Sequence, residues 1–427
     1  MTAEYRSVRG MRDLLPEETR RWRELENSVH GIMARWGYGE IRTPVFEQTE
    51  LFTRSVGEDS DIVSKQMYTF QDRSKTSLTL KPELTAPVMR AYIQHRLDRM
   101  GVLTKLYYID SLFRRERPQA GRLRQFRQFG AEAIGSPHPE QDAEIIALAF
   151  RILKELGLES LTLQISSIGS PKTRARYRDV LLRFLSDQRD KLSRTSQERL
   201  KTNPLRILDT KDPEERRILR EAPSLLDYLD HEDLAHYRTV KENLTGLDIP
   251  FEEAPILVRG LDYYSRTTFE ISHPELGAQN ALCGGGRYDG LIQDLGGEPT
   301  PAVGFATGIE RVLLALEKTT PSPAESPRDI YVVAATGTVI QAVSKLAAQL
   351  RDAGFTAQFD TLRRSLKAQM REANRLNCAH AVIIGEEELG SEQVQVKNLT
   401  TGQQLKVKMN SLVSYLANSA GPPSSSD

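Results

Sequence analysis

The sequence predicts an α+β protein: a mostly antiparallel sheet domain, interrupted by a helical insertion, followed by a small α/β domain. Short segments such as GEIRTPVFE, QMYTFQD and TSLTLKPE alternate between apolar and polar residues, with turns and not crossover helices between them. Strands return at ILVRGLDYYSRTTFEIS after a block of helical patterns. Strand and helix patterns then alternate beyond residue 329, which predicts the second domain.

The composition of the 427-residue chain excludes several classes of protein. Lys plus Arg equals Asp plus Glu, 58 against 58, so any nucleic acid or membrane partner must meet a local patch. No apolar run approaches the ~20 residues that span a bilayer, and the N-terminus lacks the apolar core of a signal peptide. Cys283 and Cys378 lie far apart, which favours a reducing environment. We therefore expect a cytoplasmic protein without membrane contact.

Histidine spacing does not predict a metal site. His231 and His236 are five residues apart, whereas a zinc-binding helix needs a spacing of four to place both rings on one face. We expect no metal-ligating residues.

Apolar spacing and composition predict the order of the elements. Six apolar residues within 17–36 recur at helical spacing and predict an amphipathic core helix: Trp22, Leu25, Val29, Ile32, Met33 and Trp36. The proline-rich segment TTPSPAESPRD indicates a linker. We expect a sheet domain at 1–320 with a helical insertion at about 171–250, a linker at 321–328, an α/β domain at 329–420 and a disordered tail at 421–427.

The arginine-rich stretch FRRERPQAGRLRQFRQFGAE has two interpretations. As a charge run alone it is more often a solvated face. However, Arg114 and Glu116 end one predicted strand, a turn follows, and Gln125–Glu132 resumes with interleaved aromatic residues. A hairpin of this kind presents donors for phosphate and acceptors for a polar ligand.

Two further segments carry candidate binding residues. In CGGGRYDGL and AVGFATGIERVLL, a strand leads into a helix with Arg311 in its first turn, where a positive side chain suggests an anionic ligand. In TLKPELTAPVMR, Glu83 and Thr85 stand at a strand end. They either cap the following helix or bind an ammonium group, and the sequence does not decide between these.

Taken together, these segments resemble the class II aminoacyl-tRNA synthetases, and within them the bacterial histidyl-tRNA synthetase family. GEIRTPVFE, the arginine-rich hairpin and AVGFATGIERVLL resemble the three class motifs. LVRGLDYYSRTTFE resembles the histidine-specific segment of the family and is the most specific of the four. Lys81 and Leu84 depart from the Arg-Pro-Glu-Gly-Thr common in the family but leave Glu83 and Thr85 in place.

The resemblance implies a role for each matching residue. Glu83 and Thr85 would hold the α-amino group of histidine. Gln128 and Glu132 would complete the amino-acid pocket, and Tyr263 and Tyr264 would flank the imidazole ring. For ATP, Arg114 would contact the α-phosphate, Glu116 the adenine side and Arg311 the γ-phosphate, while Arg259 would stabilise the α-phosphate during catalysis.

The resemblance also implies the reaction and its partners. A homodimer would activate L-histidine with ATP, bound with Mg²⁺, to histidyl-adenylate, and then transfer histidine to tRNA(His). The alternative is a synthetase-like regulatory subunit of ATP phosphoribosyltransferase, which binds histidine without aminoacylation. Such proteins generally lack the C-terminal domain and depart from the RGLDYY sequence. This chain has both the C-terminal domain and the RGLDYY sequence. A proline or threonine synthetase would need a different pocket.

Two basic segments are candidates for tRNA contact. Between Lys172 and Arg206 there are 11 Lys or Arg against 4 Asp or Glu, and we expect this stretch to contact the tRNA backbone and not ATP or histidine. In RRSLKAQMREANR, basic residues recur every four positions and predict one positive stripe on a helix: Arg363, Lys367, Arg371 and Arg375. For both segments a solvated helix face is the alternative.

Overall fold

A computed structural model describes residues 5–57, 60–119, 121–210, 212–258, 261–277, 280–319 and 330–419 of the chain. The chain divides into two compact units, Met1–Pro321 and Ser322–Asp427. The linker predicted at 321–328 and the tail predicted at 421–427 lie outside the described residues. No helix among the described residues is both long enough and apolar enough to cross a membrane.

The first unit is organised around a sheet that has eight strands in the described residues. The strands of this unit are β1 Gly39–Glu40, β2 Phe46–Gln48, β3 Tyr68–Gln71, β4 Ser77–Leu80, β5 Thr104–Phe113, β6 Gln125–Ile134, β7 Thr162–Ser167, β8 Glu252–Glu253, β9 Ser265–Ser272, β10 Ala281–Arg287 and β11 Ala302–Gly308. The order in the large sheet is β1-β5-β6-β11-β10-β9-β7-β8, and β2-β4-β3 form a smaller antiparallel sheet. Only the outermost pairs, β1 with β5 and β7 with β8, are parallel among these described strands. The predicted, mostly antiparallel sheet is confirmed.

Helices cover the sheet and form the insertion. They are α1 Pro16–Arg35, α2 Thr49–Val56, α3 Thr85–Gln94, α4 Pro139–Glu155, α5 Pro171–Ser186, α6 Arg194–Thr202, α7 Pro213–Leu219, α8 His231–Gly246, α9 Leu291–Asp294 and α10 Ile309–Thr319. A proline opens α1, α4, α5 and α7, where its missing N–H removes no helical hydrogen bond. Five of the six apolar residues predicted for the first helix are buried: Trp22, Leu25, Val29, Ile32 and Met33.

The helical region after residue 170 contributes to two separate cores. Helices α5–α7 enclose an apolar cluster of their own, which includes Tyr177, Leu181 and Leu219. Helix α8 instead buries Tyr237 and Leu244 in the core of the large sheet, where it packs against α4. The insertion is therefore a small helical body with its own core, anchored to the sheet domain at its end.

The second unit is a five-stranded sheet, as counted over the described residues, with helices on it. Its elements are β12 Ile330–Ala334, α11 Ile340–Asp352, β13 Ala357–Phe359, α12 Leu366–Arg375, β14 His380–Ile384, α13 Glu386–Gly390, β15 Gln393–Asn398, β16 Gln404–Lys408 and α14 Leu412–Ser419. Strands β13, β12 and β14 are parallel, and β15 and β16 continue the sheet antiparallel. All five residues of β12 are buried, as is typical of a strand covered on both faces. The predicted α/β domain is confirmed.

A buried ion pair fastens the helices to the large sheet. Asp142 of α4 and Arg287 of β10 are both fully buried, and the guanidinium donates to both carboxylate oxygens of Asp142. His236 of α8 lies 2.7 Å from Asp142 Oδ2, and Thr267 of β9 donates to the same oxygen at 2.6 Å. Burial acts to raise the pKa of Asp142, but the charge of Arg287 and the hydrogen bonds outweigh it and lower that pKa.

We predict that Asp142→Asn destabilises the first unit by about 3–5 kcal/mol, because it removes the fully buried counter-ion of Arg287 and leaves that charge only the partly exposed Asp289. Asp289→Asn is the matched control, since Asp289 pairs with the same guanidinium at 3.0 Å but is one-third exposed. This control should cost less than about 1 kcal/mol. Scanning calorimetry of both variants checks the prediction, and equal losses would contradict it.

Candidate active site

One face of strand β6 carries the centre of the site. Side chains alternate across a strand, so Gln128, Gly130 and Glu132 lie on the same face. In the neighbouring strands Glu132 stands opposite Gly304 of β11, and Gly304 in turn stands opposite Gly286 of β10. A row of glycines thus runs across the sheet from one carboxylate.

These glycines provide the space that the polar side chains occupy. A Cβ atom on Gly304 would lie 1.8 Å from Glu132 Oε2, and one on Gly130 would lie 2.5 Å from the Tyr108 hydroxyl. Both separations are shorter than any allowed contact. The glycine-rich strands are therefore required by the packing of Glu132 and Tyr108, and not only by a turn.

Glu132 is a buried carboxylate surrounded by hydroxyl groups. Within the described residues, it accepts hydrogen bonds from Thr85 at 2.9 Å, from Tyr108 at 3.1 Å and from Tyr288. Its side chain is 1% exposed, and burial raises its pKa to about 8 although the three hydroxyls act to lower it. The carboxylate lies directly behind the hydroxyl groups and not at the open surface of the cavity.

Glu83 caps helix α3 at the edge of the same cavity. Its Oε2 accepts from the backbone N–H of Thr85 at 2.7 Å, and its Oε1 accepts from that of Ala86 at 3.0 Å. Burial raises the pKa of Glu83 to about 7, with these backbone donors acting against it. The capping role that the sequence left open is therefore realised, while Glu83 and Thr85 also line the cavity.

Tyr263 and Tyr264 lie just before strand β9 and form an aromatic cluster with Tyr288. The rings of Tyr263 and Tyr264 are 4.8 Å apart between centroids, and those of Tyr263 and Tyr288 are 5.4 Å apart, edge to face. Burial raises the pKa of Tyr263 and of Tyr288 well above the ordinary value. These hydroxyls stay neutral and can donate or accept hydrogen bonds.

The site is a cavity of about 560 Å³ that adjoins a second one of about 410 Å³. Seven of the predicted site residues line the first cavity: Glu83, Thr85, Arg114, Glu116, Gln128, Tyr263 and Tyr264. Arg311 lines the second cavity, and Arg114, Glu116 and Gln128 line both. The structure thus brings eight of the predicted residues to the walls of two adjoining cavities, with Glu132 behind the first wall.

Arg114 is held in place where the cavities meet. Its Nε donates to the Pro82 carbonyl at 2.8 Å, and its guanidinium lies 5.3 Å from the centre of the Phe126 ring. Glu116 lies 3.9 Å from Arg114 Nη1 and 3.4 Å from Arg122 Nη1. Burial lowers the pKa of the Arg114 guanidinium, and the charges of Glu116 and Glu83 oppose this. A phosphate group would meet a preoriented cation here.

Arg311 lies in the first turn of α10, as predicted. Its Nε donates to the Ala281 carbonyl at 2.7 Å, which fixes the side chain beside β10. Burial lowers its pKa and the charge of nearby Arg122 lowers it further, while Glu270 and Glu116 raise it. An anion between Arg311 and Arg122 would relieve their mutual repulsion.

The remaining predicted residues lie elsewhere. Arg259 lies outside the described residues. In the second unit, Lys367 and Arg371 are exposed on α12. Arg363 is also exposed, but it precedes the helix and has a positive φ of 54°. The prediction of a four-residue stripe on one helix is wrong at this position, because α12 begins only after the cap formed by Ser365.

Other residues of the cavity had not been predicted from the sequence. Tyr288 lies within the CGGGRYDGL segment that already carried candidate residues, whereas Tyr108 lies on β5 and reaches Glu132 across the sheet, a pairing that no local pattern indicates. Three arginines of the insertion also line the first cavity: Arg174, Arg199 and Arg206. The sequence led us to expect contact of this basic stretch with the tRNA backbone and not with ATP or histidine, and that remains a prediction, although these three residues lie at the cavity wall. No sequence pattern distinguishes them from the exposed arginines around them.

Comparison with known proteins agrees with this geometry. Residues 10–312 match the family model for histidyl-tRNA synthetase, and residues 329–419 match that for an anticodon binding domain. A histidine–tRNA ligase from a Synechococcus species is 47% identical over 411 residues, covering 96% of this chain and 98% of that protein.

Solved structures show the same likeness. The apo histidyl-tRNA synthetase of S. aureus superimposes with a TM-score of 0.82 at 38% identity, covering 97% of this chain and all of that one. A Bacillus halodurans protein described as an ATP phosphoribosyltransferase regulatory subunit/histidyl-tRNA synthetase has a TM-score of 0.65 at 24% identity, which shows a shared fold alone. It covers 88% of this chain and 97% of its own. On the family match and the near-complete coverage by its relatives, this chain belongs to the histidyl-tRNA synthetase family.

Proposed function

We propose that this chain is a histidine–tRNA ligase, which joins L-histidine to ATP as histidyl-adenylate with release of pyrophosphate and then transfers histidine to tRNA(His). The observation that carries the proposal is the pairing of two unlike cavities. One places hydroxyl groups in front of the buried carboxylate Glu132, and the adjoining one is lined by Arg114, Arg122 and Arg311. A small polar amino acid and a polyphosphate would thus bind side by side.

The first cavity supplies acceptors for both ends of histidine. Glu83 and Thr85 would hold the α-ammonium group, since Glu83 lines the cavity and is buried. When Glu132 is ionised, the hydroxyls of Thr85, Tyr108 and Tyr288 donate their protons to it, so their oxygen lone pairs remain for the N–H groups of a ligand.

The aromatic cluster would provide the flat walls of this pocket. Tyr263 and Tyr264 would flank the imidazole, and Gln128, which lines both cavities, would orient the carboxylate of histidine toward ATP. An amino acid without imidazole N–H groups would leave these polar groups unpaired, which costs more than the loss of an apolar contact.

The arginines supply the electrostatic part of adenylate formation. The histidine carboxylate attacks the α-phosphorus of ATP, so two anions must meet and negative charge develops on the phosphoryl oxygens. Arg114 would offset this charge at the α-phosphate and Arg311 would bind the γ-phosphate, with Glu116 at the adenine. We assign Arg259 to the α-phosphate from its place in the RGLDYY segment.

Mg²⁺ would accompany ATP. Glu270 lines the arginine-rich cavity and offers the carboxylate oxygens that Mg²⁺ prefers as ligands. The ion would neutralise part of the phosphate charge when bound.

The second unit and the smaller sheet would meet macromolecular partners. Exposed Arg363, Lys367 and Arg371 would contact the phosphate backbone of the tRNA anticodon arm. In the first unit, Phe46 and Phe70 of the smaller sheet are 49% and 44% exposed, and their rings contact each other. Phe46 belongs to the segment that resembles the first class motif, so this exposed aromatic pair supports a homodimer.

Pyrophosphate exchange tests the proposed function directly. We expect labelled pyrophosphate to enter ATP with histidine and with none of the other nineteen amino acids. Arg259→Ala should lower this exchange by on the order of 10²-fold, because a cation that we assign to the α-phosphate is lost from the transition state. Exchange with another amino acid would contradict the assigned substrate. Histidine binding without any exchange would instead favour a regulatory protein.

We predict that Glu132→Gln weakens histidine binding and raises stability at alkaline pH. The pKa of Glu132 is about 8 in the folded protein against 4.5 for an ordinary Glu, so folding must retain a proton that the unfolded chain releases. Stability of the parent therefore falls as pH rises from about 4.5 to 8, and Gln removes this loss.

Two measurements check the Glu132→Gln prediction. Calorimetry should show that the melting temperature of the variant rises relative to that of the parent between pH 5 and pH 8. Equilibrium binding should show a lower affinity for histidine and an unchanged affinity for ATP. Exposed Glu298→Gln makes the same chemical change without burial and should shift neither quantity. Equal losses for histidine and ATP would indicate a general defect of the sheet.

We predict that reversing Lys367 and Arg371 to Glu raises the KM for tRNA at least tenfold and leaves histidine-dependent exchange within twofold of the parent. Both residues are exposed on α12, and reversing their charge repels a phosphate backbone. Aminoacylation kinetics at several salt concentrations measure the effect. A variant that charges tRNA as well as the parent does would leave these residues as a solvated face.

A further inference from the structure

The helical insertion reaches the tyrosine segment of the pocket through one ion pair. Arg206 follows α6, and its Nη2 lies 2.8 Å from Asp262 Oδ2 while its Nε donates to Asp262 Oδ1 at 3.2 Å. The Arg206 side chain is only 13% exposed. Two guanidinium nitrogens thus face the two carboxylate oxygens as a fork, with a hydrogen bond at Nε and a close ion-pair contact at Nη2, which restrains the orientation of Asp262 as well as its position.

Other contacts from the insertion converge on the same residue. Arg174 donates to the backbone carbonyl of Asp262 at 3.4 Å, and the Asn203 amide lies 3.5 Å from its side chain. In the sheet domain, a Cβ on Gly57 would lie 2.5 Å from Asp262 Oδ2. Asp262 is therefore confined between the insertion and the end of α2.

A second ion pair crosses the same boundary. Arg199 of α6 lies 3.2 Å from Asp61, in the segment that follows α2. Burial acts to raise the pKa of Asp61, but Lys65 and the charges of Arg199 and Arg206 outweigh it and lower that pKa. At this boundary, arginines of the insertion therefore face carboxylates of the sheet domain. Both ion pairs, Arg206 with Asp262 and Arg199 with Asp61, hold the insertion against the sheet domain.

Asp262 is followed directly by the residues that line the pocket. The Tyr263 ring contacts the Tyr288 ring edge to face, and the Tyr288 hydroxyl donates to Glu132. A continuous series of contacts thus leads from Arg206 through Asp262 and Tyr263 to the buried carboxylate. Displacing Asp262 would move the first member of the aromatic cluster.

We propose that Arg206 is a positioning residue for histidine selection. Through Arg206 the insertion holds Asp262, and the position of Asp262 in turn sets the placement of Tyr263 and Tyr264. The proposal rests on the proposed function and adds to it a role for the insertion in the first half-reaction, before tRNA binds. A basic insertion that served tRNA alone would have no need of a forked pair directed into the amino-acid cavity.

The test is histidine-dependent pyrophosphate exchange by the full-length chain in the absence of tRNA. Arg206→Ala should raise the KM for histidine about tenfold, with the KM for ATP and the kcat each within threefold of the parent. Arg206→Lys, which keeps the charge but loses the fork, should give an intermediate KM. Arg217→Ala is the control, because Arg217 is an exposed arginine of the insertion that pairs only with exposed Glu214 among the described residues.

A double-mutant cycle separates a specific pair from a general defect. Asp262→Asn should reproduce the rise in KM for histidine, and the double variant Arg206→Ala with Asp262→Asn should be no worse than either single variant. Additive effects, or equal rises in KM for histidine and for ATP, would overturn the proposal. A histidine KM within twofold of the parent in both single variants would do the same. Loss of exchange by the parent itself would instead contradict the proposed function.

Discussion

The buried pair of Asp142 and Arg287 is the interaction on which the architecture of the first unit depends. It joins α4 to β10, and through His236 and Thr267 it also joins α8 and β9. A buried ion pair is stable only when hydrogen bonds from neighbouring groups satisfy its remaining donors and acceptors. This requirement limits how the helices and strands that supply those groups can pack. Arg287 directly precedes Tyr288, which donates to the carboxylate in the pocket. The pair that holds the helices on the sheet thus also fixes one wall of the site.

Within that frame, the site is shaped by the burial of a second carboxylate. Glu132 has no arginine partner among the described residues and is satisfied by hydroxyl groups, which is why its pKa is raised and that of Asp142 is lowered. The room for it comes from Gly304 and Gly130, whose missing side chains bring strands and hydroxyls close together. Burying a carboxylate without a cationic partner lowers the stability of the fold. Such destabilising groups are typical of sites that select a polar ligand.

The insertion brings a stretch rich in lysine and arginine to this site. Its own apolar core makes it a separate body, yet Arg174, Arg199 and Arg206 extend from it to the wall of the amino-acid cavity. The same stretch is basic enough to meet a nucleic acid backbone. A basic segment that lines the first cavity, and that we propose to contact tRNA, offers a physical connection between tRNA binding and this cavity.

The sequence by itself determined the fold class, the element types and most of the pocket residues, because periodicity and the motif segments are local properties of the chain. The family resemblance assigned Gln128 and Glu132 to one pocket, and the helix pattern placed Arg311 in a first turn. Only the tertiary structure decided which side chains donate to the carboxylate of Glu132, since Tyr108 approaches it from β5 and Tyr288 from the residue after β10. It also decided which arginines of the insertion face the cavity. Such contacts join residues far apart in the chain, and their partners are chosen by packing, which no local pattern encodes.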